Sequence, residues 1–157
     1  MTLLAVYREA RHGEDIARLR RVVALRAMAA TGMSQREIAS ALGVSQSAVS
    51  QQLKAGQDIG RVHPADLIEA AAPVLRRLAE ESGYAGIAIF GSVARGGARQ
   101  DSDIDLIVEA PARTSSFDFI RFKQLIEHVL GREVDLVDYG GLKPRLDDDI
   151  RREAVLL

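Results

Sequence analysis

In the run IFGSVARGGARQDSDIDLIVEA, residues 89–110, a glycine-serine pair is followed after ten residues by two aspartates at i and i+2. Gly91, at the end of an apolar stretch, lets the backbone approach a ligand closely, and free N–H groups at the start of a short helix near residues 93–96 suit phosphate oxygens. Ser92 adds a hydroxyl and Arg95 a guanidinium with bidentate reach, although each taken singly reads as readily as an ordinary surface residue. Asp103 and Asp105 alternate with Ile104, Leu106 and Val108, so on a strand both carboxylates share one face and the aliphatics the other. Two such carboxylates raise each other's pKa unless a cation lies between them. Magnesium suits the place, because it prefers oxygen, takes one or two carboxylates and completes its shell with water and phosphate oxygens. Asp135, between Val134 and Leu136, adds a third carboxylate if its strand is a neighbour. Three carboxylates permit two Mg2+ ions, one holding a triphosphate and one activating a hydroxyl, with Asp135 as base or as metal ligand.

Other chemistries fit less well. Asp101, Asp103 and Asp105 resemble the start of a calcium loop, but Leu106 stands where that loop needs Gly and Ala112 where it needs Glu. No Gly-Lys-Ser/Thr phosphate loop and no GxGxxG after a strand occurs. His12, His63 and His128 lack metal-ligand spacing and read as solvated or capping residues. Asp147, Asp148 and Asp149 read as acids at a helix start, where the dipole favours them. Tyr84 and Tyr139 flank strands and read as packing residues or as walls of a base pocket. The chain has no Cys, which removes disulfides, thiolate zinc sites and thiol catalysis. Its few aromatics, with no Trp, argue against a stacking platform for single strands. No apolar run approaches the roughly 18 residues of a membrane span, and a cytoplasmic location is expected.

Positioning these groups takes two kinds of structure. Charge divides the chain: residues 1–62 hold nine Lys and Arg against five Asp and Glu, a net +4, while residues 63–157 hold twelve against seventeen, a net −5. Apolar periodicity predicts helices over 14–30, 35–42 and 46–54, then a joint over 55–64 where Gly56, Gly60 and Pro64 break the pattern. A helix follows to about residue 81, with an interruption expected at Pro73. Strands are predicted at 85–90, 104–108 and 134–137, a helix at 117–130 and a last helix at 143–153. The expected division is an all-helical unit, 1–62, and an α/β (α+β) unit, 63–157.

Within the first unit, Ser34 and Glu37 form a capping-box pattern, Gly43 supplies a left-handed turn, and Ser45 caps the next helix. Ile38, Ala39, Leu42, Val44, Val49 and Leu53 are the expected contacts between the two helices. Residues 25–54 resemble the helix-turn-helix domains of bacterial transcriptional regulators; a plain helical hairpin is the alternative. The resemblance implies DNA binding by Gln35, Arg36, Ser45, Gln46, Ser47, Ser50, Gln51 and Lys54, with the second helix in the major groove. Lys54 is that helix's one cation, so phosphate contacts are expected from Arg18, Arg20, Arg21, Arg26 and Arg36, and a homodimer on a two-fold site would strengthen them.

The second unit, residues 64–157, resembles the minimal nucleotidyltransferase family within the DNA polymerase beta-like nucleotidyltransferases. The similarity is carried by Gly91-Ser92, Ala94-Arg95-Gly96, Asp103-Ile104-Asp105, Asp135 in EVDLVD and a final helix containing Pro144. It implies a mixed sheet flanked by helices, Gly91 and Ser92 on the triphosphate, Asp103 and Asp105 on both Mg2+ ions and Asp135 completing the second. The implied reaction transfers a nucleoside monophosphate from an NTP, ATP foremost, and releases pyrophosphate. Such proteins resemble antitoxins that adenylylate a tyrosine of a HEPN-type RNase toxin, and an attached helix-turn-helix adds autoregulation or a different substrate. A regulator that binds nucleotide only as a signal, and a toxin that adds nucleotides to tRNA ends, are the other readings.

Overall fold

The computed structural model describes residues 1–145 and 147–157. Helix α1, Leu3–Ala30, starts at the Thr2 hydroxyl, which accepts from Ala5 N at 3.1 Å. It begins eleven residues before the expected start at residue 14. The first turns carry Leu3, Leu4, Val6 and Tyr7 on the outside, so no buried stripe betrays the helix before Ile16. Further along, α1 serves two cores. Leu25 packs with Ile38, Ala39 and Val49 of the helix-turn-helix, while Val23 and Ala27 join the main core.

Helices α2, Gln35–Leu42, and α3, Gln46–Ala55, follow the expected caps closely. Ser34 and Glu37 close a reciprocal capping box, Gly43 adopts φ 68°, and Ser45 Oγ accepts from Ala48 N at 3.0 Å. Leu42 and Val44 depart from expectation. They do not pack between α2 and α3 but stand about half exposed, lining a groove of about 760 Å3 with Leu19, Val22, Ile59 and Val62. The turn at Gly43 aims both side chains back toward α1.

The joint is built, not slack. Ile59–Arg61 forms a 3-10 turn with Ile59 buried in the main core, and a Cβ on Gly60 would overlap the backbone of Gly131. Helix α4, Pro64–Glu81, then runs without interruption through Pro73. A proline removes the bond to the carbonyl four residues back and crowds it. Here Arg20 of α1 takes over, donating from Nη2 to Glu69 O and from Nε to Ala70 O, both at 3.0 Å.

Strands β1, Ile87–Phe90, β2, Ile104–Val108, β3, Val134–Asp138, and β4, Val155–Leu156, form one mixed sheet in the order β3-β2-β1-β4. β1 is antiparallel to β2 and β4, and β2 is parallel to β3 through helix α6, Ser116–Leu130. Ile87, Ile89, Ile104, Leu106, Val108 and Val134 face α1, α4 and α6 in the main core. Ala88, Phe90 and Ile107 face the other way, toward Leu142 and Ile150. The last helix, α7, spans only Asp148–Glu153. Pro144 lies before it, not inside it, and a separate 3-10 turn occupies Tyr139–Gly141. Leu146, within the expected 143–153 helix, lies outside the described residues. β4 has no counterpart in the sequence expectation.

Candidate active site

Phe90 ends β1, and Gly91 opens the four-residue helix α5, Gly91–Ala94, at φ 71°. A side chain there would overlap the Asp105 carboxylate, so glycine is required both by the backbone and by the neighbour. Ser92 is half-buried in the same turn, whose first N–H groups have no intrahelical acceptor. The loop from Arg95 to Asp103 is held on several sides. Gly97 N donates to Ser92 O and Arg99 N to Ser102 Oγ, Arg132 Nη2 donates to Ser102 O at 2.6 Å, and Gln100 Nε2 donates to Arg61 O. His63 accepts from Ala65 N through Nδ1 and donates from Nε2 to Ala98 O, joining the start of α4 to this loop.

That loop delivers Asp103 to the start of β2. Asp105 stands two residues on, level with Phe90 of β1 and in direct register with Asp135 of β3. Asp105 is half-buried, Asp103 and Asp135 exposed. Burial, the charge of Asp135, a hydrogen bond shared with it and the charge of Asp103 push the Asp105 carboxyl up to about 6, against a smaller opposing pull from Arg95. Carboxylates crowded this way, with oxygen donors only, fit a hard divalent cation. Asp103, Asp105 and Asp135 do not all lie within 4.8 Å of one another; among the described residues only His12, Asp66 and Glu69 do so as a group of three. The His12 group is an exposed ion pair, Nε2 to Glu69 Oε2 at 3.1 Å, and the hydrogen bond and charge of Glu69 raise the His12 pKa.

Arg95 does not stand free. Its Nη1 donates to both carboxylate oxygens of Glu153 in α7 at 2.9 Å. Glu153, Arg132 and Gln100 escaped the sequence reading, whereas His63 caps α4 as a capping histidine should. Tyr84 stacks on Phe122, ring centroids 4.2 Å apart, beyond the opposite end of the strands; Tyr139 packs against the Phe90 face. Asp148 and Asp149 fill the first turn of α7, as their position beside a helix start leads one to expect, while Asp147, at the N-cap position, accepts from Lys143 N at 2.7 Å and makes no side-chain bond to the helix.

On the helix-turn-helix, Arg36, Gln46, Ser47, Gln51 and Lys54 are exposed, and Gln35 and Ser50 half-buried. The Ser45 hydroxyl is spent on the cap of α3. Two of the five arginines expected on phosphate are committed elsewhere: Arg20 to α4, and Arg26 to Val129 O, His128 O and Gly56 O. Burial lowers the Arg26 pKa. Arg18, Arg21 and Arg36 remain exposed. No described helix is long and apolar enough to cross a membrane.

Residues 73–157 match the nucleotidyltransferase domain family and residues 15–59 the homeodomain-like domain family. The chain belongs to the nucleotidyltransferase domain family and is a nucleotidyltransferase with an N-terminal helix-turn-helix. A candidate protein adenylyltransferase of Methanocaldococcus jannaschii is 46% identical over 67 residues, 43% of this chain and 72% of that protein. Protein adenylyltransferase MntA of Thermococcus cleftensis is 38% identical over 80 residues, 51% of this chain and 81% of that one. A solved structure described as a minimal nucleotidyltransferase superposes with a TM-score of 0.54 at 39% identity, covering 59% of this chain and 95% of the other.

Proposed function

We propose that the protein transfers AMP from ATP to a hydroxyl of a protein acceptor, in Mg2+. The observation that carries this reading is the register of Asp105 with Asp135, closed on its third side by Gly91. Asp103, Asp105 and Asp135 would hold the ions, two in number, which when bound neutralise the triphosphate and acidify the acceptor hydroxyl. Gly91 and Ser92 bind the phosphates through backbone N–H groups and a hydroxyl, and Arg95, drawn from Glu153, adds a guanidinium. The acceptor oxygen bonds to the α-phosphorus, the bond to the bridging oxygen breaks, and pyrophosphate leaves. The hydroxyl proton passes to the exposed Asp135 or to water beside it.

The acceptor favoured here is a HEPN-type toxin encoded alongside, which would make the chain a cytoplasmic antitoxin. The adenylyltransferase relatives support a protein acceptor. The helix-turn-helix would bind DNA as a homodimer and regulate its own operon. The test is to incubate the protein with each NTP, Mg2+ and the product of the adjacent gene, and to read intact masses. An added adenylyl group on the partner, absent with Asp103→Ala and with Asp105→Ala, is expected. Equal transfer by both variants overturns the site. Binding of ATP without pyrophosphate release would favour a regulator that senses nucleotide, and a nucleotide added to tRNA but not to protein would replace the acceptor.

A further inference from the structure

The helix-turn-helix is short of cations for a DNA-binding unit. Arg20 and Arg26 are tied to carbonyls, and α3 carries only Lys54. Phosphate neutralisation supplies nearly all non-specific affinity for duplex DNA and a large share of the rest. A homeodomain sets the turn between its first two helices on the phosphate backbone. Here that turn, at Thr31 and Gly32, forms one wall of an open cleft of about 1110 Å3. The facing wall comes from the catalytic half: Arg113 of the β2–α6 loop, and Arg121 and His128 on α6.

The two arginines are available. Neither Arg113 nor Arg121 has a carboxylate partner among the described residues; Arg121 lies 5.7 Å from the Phe117 ring centroid. Asp118, the acid in the wall, is engaged by the Ser115 hydroxyl at 2.9 Å. Arg113 occupies the third position of a turn closed by Thr114 N and Oγ1 on Pro111 O, and its φ is 71°. Glycine would sit there without strain, so an arginine is held at a backbone cost at the mouth of a cationic cleft.

We propose that this cleft seats the phosphate backbone of duplex DNA, with Arg113 and Arg121 of the nucleotidyltransferase half extending the contact that the helix-turn-helix begins. The inference rests on reading the helix-turn-helix as a DNA-binding unit. It leaves the candidate active site open, because Arg113 follows the far end of β2 from Asp103, a strand length of roughly 16 Å away.

The test is a salt series of anisotropy titrations with a random-sequence duplex of about 30 base pairs, comparing the full chain with the Arg113→Gly, Arg121→Ala double variant. Loss of two phosphate contacts should weaken binding about tenfold near 100 mM salt and flatten the slope of log K against log salt by about 2. The Tm of Arg113→Gly alone should be unchanged or higher, which separates lost contact from lost folding. Arg77→Ala, at an arginine already paired with Glu80 and Glu81, should change neither affinity nor slope. Wild-type affinity and slope in the double variant would overturn the cleft and spare the DNA-binding reading. A wild-type chain that binds no duplex at any salt would overturn both.

Discussion

Three pressures oppose ionisation of Asp105: partial burial, Asp135 directly across the register and Asp103 two residues back. Its folded pKa, about 6, lies above the usual 3.8. Between those values the folded chain holds a proton that the unfolded chain has released, so the group costs stability at pH 7 and the cost disappears as pH falls below about 4. The full shift must be discounted for the partial exposure of the carboxylate, leaving about 1–2 kcal/mol. Asp105→Asn should therefore raise the Tm of the protein in EDTA at pH 7, with no gain near pH 4, while abolishing nucleotidyl transfer. Thermal melts across that range check the sign; an Asn variant less stable at pH 7 would mean that the carboxylate is held by partners and not strained. The same proton competes with cations, so Mg2+ affinity measured by calorimetry should fall as pH drops through about 6.

At the scale of elements, α4 shows how a residue from one helix repairs another. Pro73 leaves Glu69 O without its usual donor, and the Arg20 guanidinium spans Glu69 O and Ala70 O with two nitrogens. Arg20→Ala should cost about 1–2 kcal/mol in chemical denaturation, and lysine, with a single ammonium, should rescue little. In a Pro73→Ala background, where the helix supplies its own donor, the cost of Arg20→Ala should shrink; an unchanged cost would mean that Arg20 acts elsewhere. This pairing explains why Pro73 read as a break: the residue that neutralises it lies 53 positions away. The elements written locally were legible. Ser34, Glu37, Gly43 and Ser45 announce α2 and α3, and the alternation at 104–108 announces β2 to the residue. What depended on distant partners was not. The outward apolar residues of α1 hid its first three turns, the edge pairing that makes β4 has no local signal, and Leu42 and Val44 faced α1 instead of each other's helices. In the site, spacing set Asp103 just before β2 and Asp105 within it, whereas Arg132, Gln100 and Glu153 act through backbone contacts or an ion pair set by the tertiary fold.

Across the whole molecule, the two charge-divided halves share one interior. Val23 and Ala27 of α1 and Ile59 of the joint are buried among Leu67, Ile68 and Leu130, and burial of Val23 and of Ile59 is worth about 1.5–3 kcal/mol each. Arg26 reaches from α1 to the last carbonyls of α6, and Gly60 lies so close to Gly131 that a Cβ on Gly60 would overlap the Gly131 backbone. The helix-turn-helix alone buries only Leu25, Ile38, Ala39 and Val49, too little to outweigh the entropy of ordering its helices. The catalytic half alone would expose the face of α4 that α1 covers. Stability of a chain this size is about 5–15 kcal/mol, so loss of that contact would remove a large share of it from either half. Calorimetry of the full chain should show a single endotherm with equal calorimetric and van't Hoff enthalpies. A chain of residues 63–157 should melt well below the full chain, and Gly60→Ala in the full chain should lower the Tm without splitting it. Two resolved endotherms would mean that the halves are independent bodies. A single transition would mean that the orientation between the helix-turn-helix and the three aspartates is built into the fold, so that whatever duplex the front half binds is presented at one fixed angle to the chemistry behind it.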